Sequence, residues 1–172
     1  SPIAFLQINT RDGKTLEEYK PIKEKQVLTP EVAYIISDIL ADDNARLISF
    51  GQHSGLFIPG KKVSVKTGTT NDKRDNWAVG WTANILVASW VGNNNNTSMK
   101  QVASGISGAT PIWRRTITEA IGKFGYHELE KPNNIIQLDI DTISGYPSHD
   151  GFPTRPEFFV SGTEPKGQDP IH

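Results

Sequence analysis

The sequence contains no cysteine and no long apolar run. Without cysteine, the 172 residues can form no disulfide, no thiolate nucleophile and no cysteine-ligated metal site. The longest apolar run, residues 85–91, has the length of a strand, whereas a membrane-spanning helix needs about 18 consecutive apolar residues. The first residues also lack the basic leader and apolar segment of a signal peptide. We therefore expect neither a membrane span nor a secretory leader within these residues.

The sequence also lacks an excess of either charge. Its 18 basic and 19 acidic side chains give a formal net charge of −1. The net charge therefore gives no electrostatic attraction to nucleic acid or to an anionic membrane surface. Neither a metal nor a cofactor is expected. At this length the chain forms one compact domain or part of a larger one. The histidines show no metal-ligand spacing, and we expect no specific role for any of the four: His53, His127, His149 and His172.

The first third of the chain contains signals for a hairpin and a helix. Asp12-Gly13 lies between two β-like runs and predicts a hairpin over residues 3–19. Thr29-Pro30 is a helix start, and apolar residues follow at helical spacing, which predicts a helix over 30–41. Residues 45–62, rich in glycine, predict an irregular loop.

Three strands are predicted next, at roughly 63–69, 76–82 and 85–92. Their connections are short, so neighbouring strands should be antiparallel. Because 85–91 is apolar at almost every position, both of its faces are expected to be covered. The asparagine run at 93–96 favours a turn over a cation site, since no carboxylates lie beside it.

A second long helix is predicted from Thr110-Pro111, with Trp113 in its apolar face and Gly125 as its cap. Beyond about residue 131 the sequence changes character: a β-like segment, IIQLDID, precedes a turn-rich tail with many prolines. This change predicts a main portion over 1–130 and a proline-rich appendage or linker over 131–172.

Residues 63–69, VSVKTGT, combine a strand pattern with residues that weaken a strand. Strict alternation places Lys66 and Thr67 on opposite faces, so both can serve one site only where the strand borders a cleft at a sheet edge. A strand glycine such as Gly68 often marks close approach of a ligand. Threonine hydroxyls and a lysine charge suit a carboxylate, and an edge can accept an extended peptide. Lys-Thr-Gly alone also fits an exposed strand with a solvated lysine.

Longer motifs surround this tripeptide. KTGTT at 66–70 is followed by D-x-W-x-x-G-x-T at 75–82, by WVGNNNN at 90–96, and by SGISGATPIW at 104–113. With these motifs the sequence resembles the transpeptidase domain of the class A (bifunctional) penicillin-binding proteins. The tail segment EFFVSGTEP, at 157–165, is similar to the segment on the C-terminal side of that domain in the family. The resemblance implies an α/β fold of the penicillin-binding and serine β-lactamase type, an antiparallel sheet flanked by helices, of which only the C-terminal portion is present.

The resemblance also implies roles for single residues. Lys66 would support proton transfer and supply positive charge as the lysine of the family's third motif. Thr67 and Thr69 would hydrogen-bond the carboxylate of the peptide or β-lactam, and the Thr69 N–H would form half of the oxyanion hole. Gly68 would leave room for the acyl group. The implied catalytic residues are Lys66 and Thr69, and the implied substrate-binding residues are Thr67, Gly68, Thr69 and Thr70.

The family's other two motifs are absent from these 172 residues. No serine is followed three residues later by lysine, and no Ser-x-Asn occurs. The nearest pattern, Ser148-His149-Asp150, lies downstream of the third motif, whereas the family places both missing motifs upstream of it. The resemblance therefore implies a chain that lacks the nucleophilic serine and is inactive alone.

The resemblance implies a complete enzyme held at the extracytoplasmic face of a bacterial membrane, with a glycosyltransferase domain upstream. Its partners would be stem peptides ending in D-Ala-D-Ala, and β-lactams. Two alternatives remain open: a non-catalytic peptidoglycan-binding scaffold, and a relative of the serine β-lactamases or D,D-carboxypeptidases. A sheet without its partner helices exposes apolar surface, so we also expect dimerisation through that surface.

Overall fold

The computed structural model describes residues 4–20, 25–99 and 106–171. Within these ranges the strands pair antiparallel in three sheets, ordered β1-β2, β3-β4-β5 and β6-β7. No helix in these ranges is long and apolar enough to cross a membrane. The elements are β1 (Gln7–Asn9), β2 (Thr15–Glu18), α1 (Pro30–Ala41), α2 (Asp43–Phe50), β3 (Ser64–Thr69), β4 (Asp75–Trp81), β5 (Leu86–Gly92), α3 (Ala109–Phe124), β6 (Ile135–Asp141) and β7 (Thr154–Val160).

Helix α1 has the predicted bounds, but α2 was not predicted. The Thr29 hydroxyl caps α1 by accepting from the N–H of Val32 at 3.4 Å. Asp42 ends α1 in an extended conformation, and its carboxylate then accepts from the N–H groups of Asn44 and Ala45 at 2.8 and 3.2 Å. The expectation of an irregular loop over 45–62 was wrong for residues 45–50, because Asp42 starts a new helix as it ends the old one, and is confirmed for 51–62.

The core lies between the central sheet and α3. Trp113 and Ile117 of α3 are fully buried, as is Ala78 in the middle of β4, and Val65 of β3 is nearly so. The prediction of Trp113 as a core residue is therefore confirmed. Gly125 ends α3 at φ +80°, as predicted, and its N–H donates to the carbonyl of Ile121.

Trp113 packs directly on the backbone of β4. A Cβ atom at Gly80 would lie 2.6 Å from Cζ2 of Trp113 and 2.7 Å from the carbonyl oxygen of Ser64. Neither neighbour can easily move, since one is a buried ring and the other is backbone. The position requires glycine because the indole occupies the space of a side chain.

We expect Gly80→Ala to destabilise the protein by about 1–3 kcal/mol through this overpacking. Gly122→Ala is the matched control, because nothing lies within 4 Å of a Cβ atom there and alanine favours a helix by roughly 0.5–1 kcal/mol. Denaturant unfolding of both variants measures the difference. Equal stability changes would contradict the described contact.

The second face of the sheet is only partly covered. Helix α1 reaches it at one end, where the Trp81 Nε1–H donates to the Ser37 hydroxyl at 3.1 Å and the Ser64 hydroxyl donates to the Ser37 carbonyl at 2.7 Å. Elsewhere on this face Leu86 is 68% exposed and Trp90 is 40% exposed.

The expectation that both faces of β5 are covered was therefore wrong. Val87 and Ser89 are buried on the face toward α3, whereas Leu86, Ala88 and Trp90 alternate on the open face. In the described residues β5 is an edge strand of the three-stranded sheet. An apolar run alone therefore does not show that both faces of a strand are buried, because burial also requires an element that packs on each face.

The C-terminal tail contains a two-stranded sheet. Strand β6 coincides with the predicted β-like segment, but β7 was not predicted because Pro153 and Pro156 indicated turns. Pro156 of β7 lies opposite Asp139 of β6. Proline is tolerated in an edge strand at a position where its nitrogen faces away from the neighbouring strand. Phe158 packs edge-on against Tyr34 of α1, with 5.8 Å between ring centroids. The proposed domain boundary near residue 131 stays a prediction.

His149 lies between two carboxylates of this tail. Its Nδ1 is 3.1 Å from Asp150 and its Nε2 is 3.3 Å from Asp169. Hydrogen bonds to Asp150 and then Asp169 raise the pKa of His149 above its ordinary value. The folded tail therefore favours the protonated imidazole.

We expect the tail to weaken as pH rises. A raised pKa adds stability that is fully present below the unfolded value near 6.5 and is lost as pH climbs through the folded value. The Ile171 N–H, which donates to Asp169, is a local reporter. Its hydrogen-exchange protection factor should fall as pH rises from below about 6.5 through the raised pKa of His149, and His149→Gln should remove most of that fall. An unchanged pH dependence in the variant would exclude His149 as the cause.

Candidate functional site

Strand β3 lies at an edge of the sheet formed by the described residues. This is the position that one site using both Lys66 and Thr67, on opposite faces of the strand, would need. It pairs with β4 alone among the described strands, in a register that sets Lys66 opposite Val79 and Thr69 opposite Asn76. The Thr70 N–H donates to the Asp75 carbonyl at 3.0 Å. Because bonded and non-bonded pairs alternate along antiparallel strands, the backbone N–H and C=O groups of Thr67 and Thr69 face away from β4.

Lys66 and Gly68 lie on the open face of the sheet. Lys66 is exposed, and its ammonium donates to the Thr67 carbonyl at 2.7 Å. A Cβ atom at Gly68 would meet only Cβ of Trp77, at 4.0 Å. The space over Gly68 is therefore open, and no contact within the described residues requires glycine there.

The two threonines of the motif differ in their surroundings. Thr67 is half-buried and lies opposite Ala78, on the face toward α3. Thr69 is exposed, and its hydroxyl oxygen accepts from Nδ2 of Asn76 at 3.0 Å. The polar edge of the strand therefore offers one exposed hydroxyl beside two outward backbone N–H groups.

Asn76 is the polar residue of this site that sequence reasoning did not identify. It is fully buried, and its Oδ1 accepts from the backbone N–H of Ala109 at 2.6 Å. It occupies the x position of the D-x-W motif, at which the motif specifies no residue, so the motif predicts no role for it. A polar residue on the core-facing side of a strand was the available signal, because buried polar groups need hydrogen-bond partners.

Thr70 begins the turn between β3 and β4. Its hydroxyl oxygen accepts from the N–H groups of Arg74 and Asp75, both at 2.9 Å. These bonds hold the turn closed. A contact of Thr70 with substrate stays a prediction.

Two tryptophans lie on the open face beside Lys66. Trp77 and Trp90 are directly opposite each other in β4 and β5 and are 45% and 40% exposed. The Trp90 Nε1–H donates to the Asp75 carboxylate at 2.9 Å, which gives the first residue of the D-x-W motif a structural role. Trp77 is thus exposed on the open face, whereas half-buried Trp81 packs toward α1.

Known proteins that are similar to this chain include two named Penicillin-binding protein 1A. No protein-family model matches the sequence. Penicillin-binding protein 1A of Clostridium botulinum (strain Langeland / NCTC 10281 / Type F) is 31% identical over 175 residues, covering 98% of this chain and 20% of that protein. Penicillin-binding protein 1A of Pseudomonas aeruginosa (strain PAO1) is 28% identical over 141 residues, covering 82% of this chain and 17% of that protein.

A solved structure shows the same fold. The 2.6 Å crystal structure of Penicillin-Binding Protein 1A from Haemophilus influenzae matches with a TM-score of 0.71 at 26% identity, covering 93% of this chain and 25% of that chain. The chain thus spans about a fifth of the length of the curated relatives it matches. The resemblance to class A penicillin-binding proteins and the predicted fold class are confirmed.

Proposed function

The chain belongs to the penicillin-binding protein family, and on that premise we propose that it supplies one wall of a serine D,D-transpeptidase site. The complete enzyme would crosslink stem peptides of the bacterial cell wall at the extracytoplasmic face of the membrane. The observation that supports this proposal most directly is the edge of β3 that pairs with no other described strand. Its outward backbone groups lie between Lys66 on one face and the Thr69 hydroxyl on the other. An extended peptide can bind such an edge by adding a strand.

The chemistry would be acyl transfer through a serine that these 172 residues do not contain in a Ser-x-x-Lys motif. The serine oxygen would attack the carbonyl between the two terminal D-alanines, and the last D-alanine would leave as the amine. The acyl-enzyme would then react with an amine of a second peptide. A β-lactam would acylate the same oxygen and remain attached.

In this reaction the residues of β3 would stabilise the charges of the substrate and the transition state and would assist proton transfer. The outward N–H of Thr69 would donate to the developing oxyanion, a contribution typically worth about 10²–10³-fold in rate. The Thr69 hydroxyl and half-buried Thr67 would hold the substrate carboxylate. The ammonium of Lys66, placed on the open face, would support proton transfer to and from the serine.

The first test compares this chain with the complete enzyme. Residues 1–172 alone should not form a covalent adduct with a fluorescent penicillin, because they lack the nucleophile. The chain joined to its upstream transpeptidase segment should be labelled, and unlabelled benzylpenicillin should compete. Covalent labelling of residues 1–172 alone would contradict the proposal. Failure of the complete protein to label, with peptidoglycan binding retained, would favour the scaffold alternative.

The second test concerns Lys66. In the complete enzyme, Lys66→Ala should lower the acylation rate by roughly 10²-fold or more, since acid–base groups typically contribute about 10²–10⁴-fold. Lys14→Ala, in the exposed end of the β1–β2 hairpin, removes the same charge outside the site. Stopped-flow acylation by a chromogenic β-lactam measures both variants. Equal rates in the two would refute the role of Lys66.

A further inference from the structure

We propose that Asn76 is a positioning residue that turns the Thr69 hydroxyl into a hydrogen-bond donor toward the substrate carboxylate. This inference rests on the proposed function. It concerns a residue that the motif leaves unspecified and that cannot itself touch substrate, because it is fully buried.

The orientation of the Asn76 amide is set by its two partners. One end of the amide lies 2.6 Å from the backbone nitrogen of Ala109, and a backbone N–H can only donate. The amide oxygen must therefore be at that end, since it is the only acceptor of the side chain. The NH₂ group is consequently at the other end, 3.0 Å from the Thr69 hydroxyl oxygen.

This orientation of the amide determines whether the Thr69 hydroxyl donates or accepts in its hydrogen bond with Asn76. An amide NH₂ donates and cannot accept, so the Thr69 oxygen is the acceptor in this bond. The hydrogen of the hydroxyl cannot point back toward Asn76 and remains available on the exposed side of the strand. A hydroxyl held in this way is a ready donor to an anion, and a bond to a charged group is stronger than a neutral one.

The same amide ties the site to the core. Helix α3 begins at Ala109, and Gly108 before it supplies no side-chain cap. The Asn76 oxygen accepts one of the N–H groups that a helix leaves unpaired at its start. A single buried side chain therefore joins the edge strand, through Thr69, to the helix that packs against the sheet.

Asn76→Asp reverses the polarity while conserving shape. The carboxylate still accepts from Ala109, and the helix N-terminus favours its charged form. It cannot donate to Thr69, so the hydroxyl turns inward to donate to it. In the complete enzyme at mildly alkaline pH we expect about 10- to 100-fold slower acylation by a carboxylate-bearing β-lactam, the effect of one bond to a charged group. Asn133→Asp, in an exposed turn, is the charge control and should leave the rate unchanged.

A double-mutant cycle with Thr69→Val separates positioning from a structural or long-range charge effect. If Asn76 acts through the hydroxyl, Asn76→Asp should cost little further rate once Thr69 is valine. The same full loss in both backgrounds would overturn the inference. Asn76→Ala, which removes both bonds without adding charge, gives a second comparison and should show a smaller loss that also vanishes in the valine background.

A carboxylate ester of the same β-lactam provides a readout that a merely structural role would not move. The loss caused by Asn76→Asp should be large for the free acid and small for the ester, and equal losses would refute the inference. Absence of acylation in the unmodified complete enzyme would instead overturn the proposed function and, with it, this role. Normal acylation of the free acid by the Asn76→Asp variant would leave the proposed function intact and overturn the positioning role alone.

Discussion

The contact of Trp113 with the backbone of β4 at Gly80 is the constraint on which the rest of the structure depends. A fully buried indole lies where a side chain would otherwise stand, and this brings α3 close to the central strand. The close approach of α3 to β4 places the first residue of α3 near Asn76, so the buried amide can reach both Ala109 and Thr69. The position of the candidate site is therefore set by packing between a helix and a sheet, independently of the groups proposed to act in catalysis.

The two faces of the central sheet differ because only one has a complete set of neighbours in this chain. The face toward α3 is closed by apolar side chains, whereas the opposite face presents Lys66, Trp77 and Trp90 to the outside. A curated relative that this chain matches is about five times longer than the chain, and the open face has room for further elements of the proposed site. Lys66 and the unfinished packing thus lie on the same side of the sheet, whereas Thr67 and Thr69 lie on the side toward α3.

The local signals in the sequence were sufficient for the hairpin, for α1, for α3 and for the three central strands, since each depends on caps, turns or periodicity. The errors have physical causes of a different kind. Asp42 serves two helices at once, Pro156 sits in an edge strand where its missing N–H costs nothing, and the apolar pattern of β5 has no covering partner among the described residues. The motif predicts roles for Lys66 and Thr69 but none for Asn76, because the role proposed for Asn76 depends on a contact with a residue 33 positions away.

The outward edge of β3 has a consequence for how this chain meets copies of itself. A strand with unpaired backbone groups is a template for any other strand, and natural proteins often protect such edges with a lysine. Lys66 stands near the middle of this edge, exposed and on the open face. Two such strands brought together would set their ammonium groups near each other, and the repulsion disfavours pairing between copies. The proposed substrate, a peptide that ends in a carboxylate, would meet attraction at the same point, so one charge would favour the substrate strand and disfavour a second copy of β3.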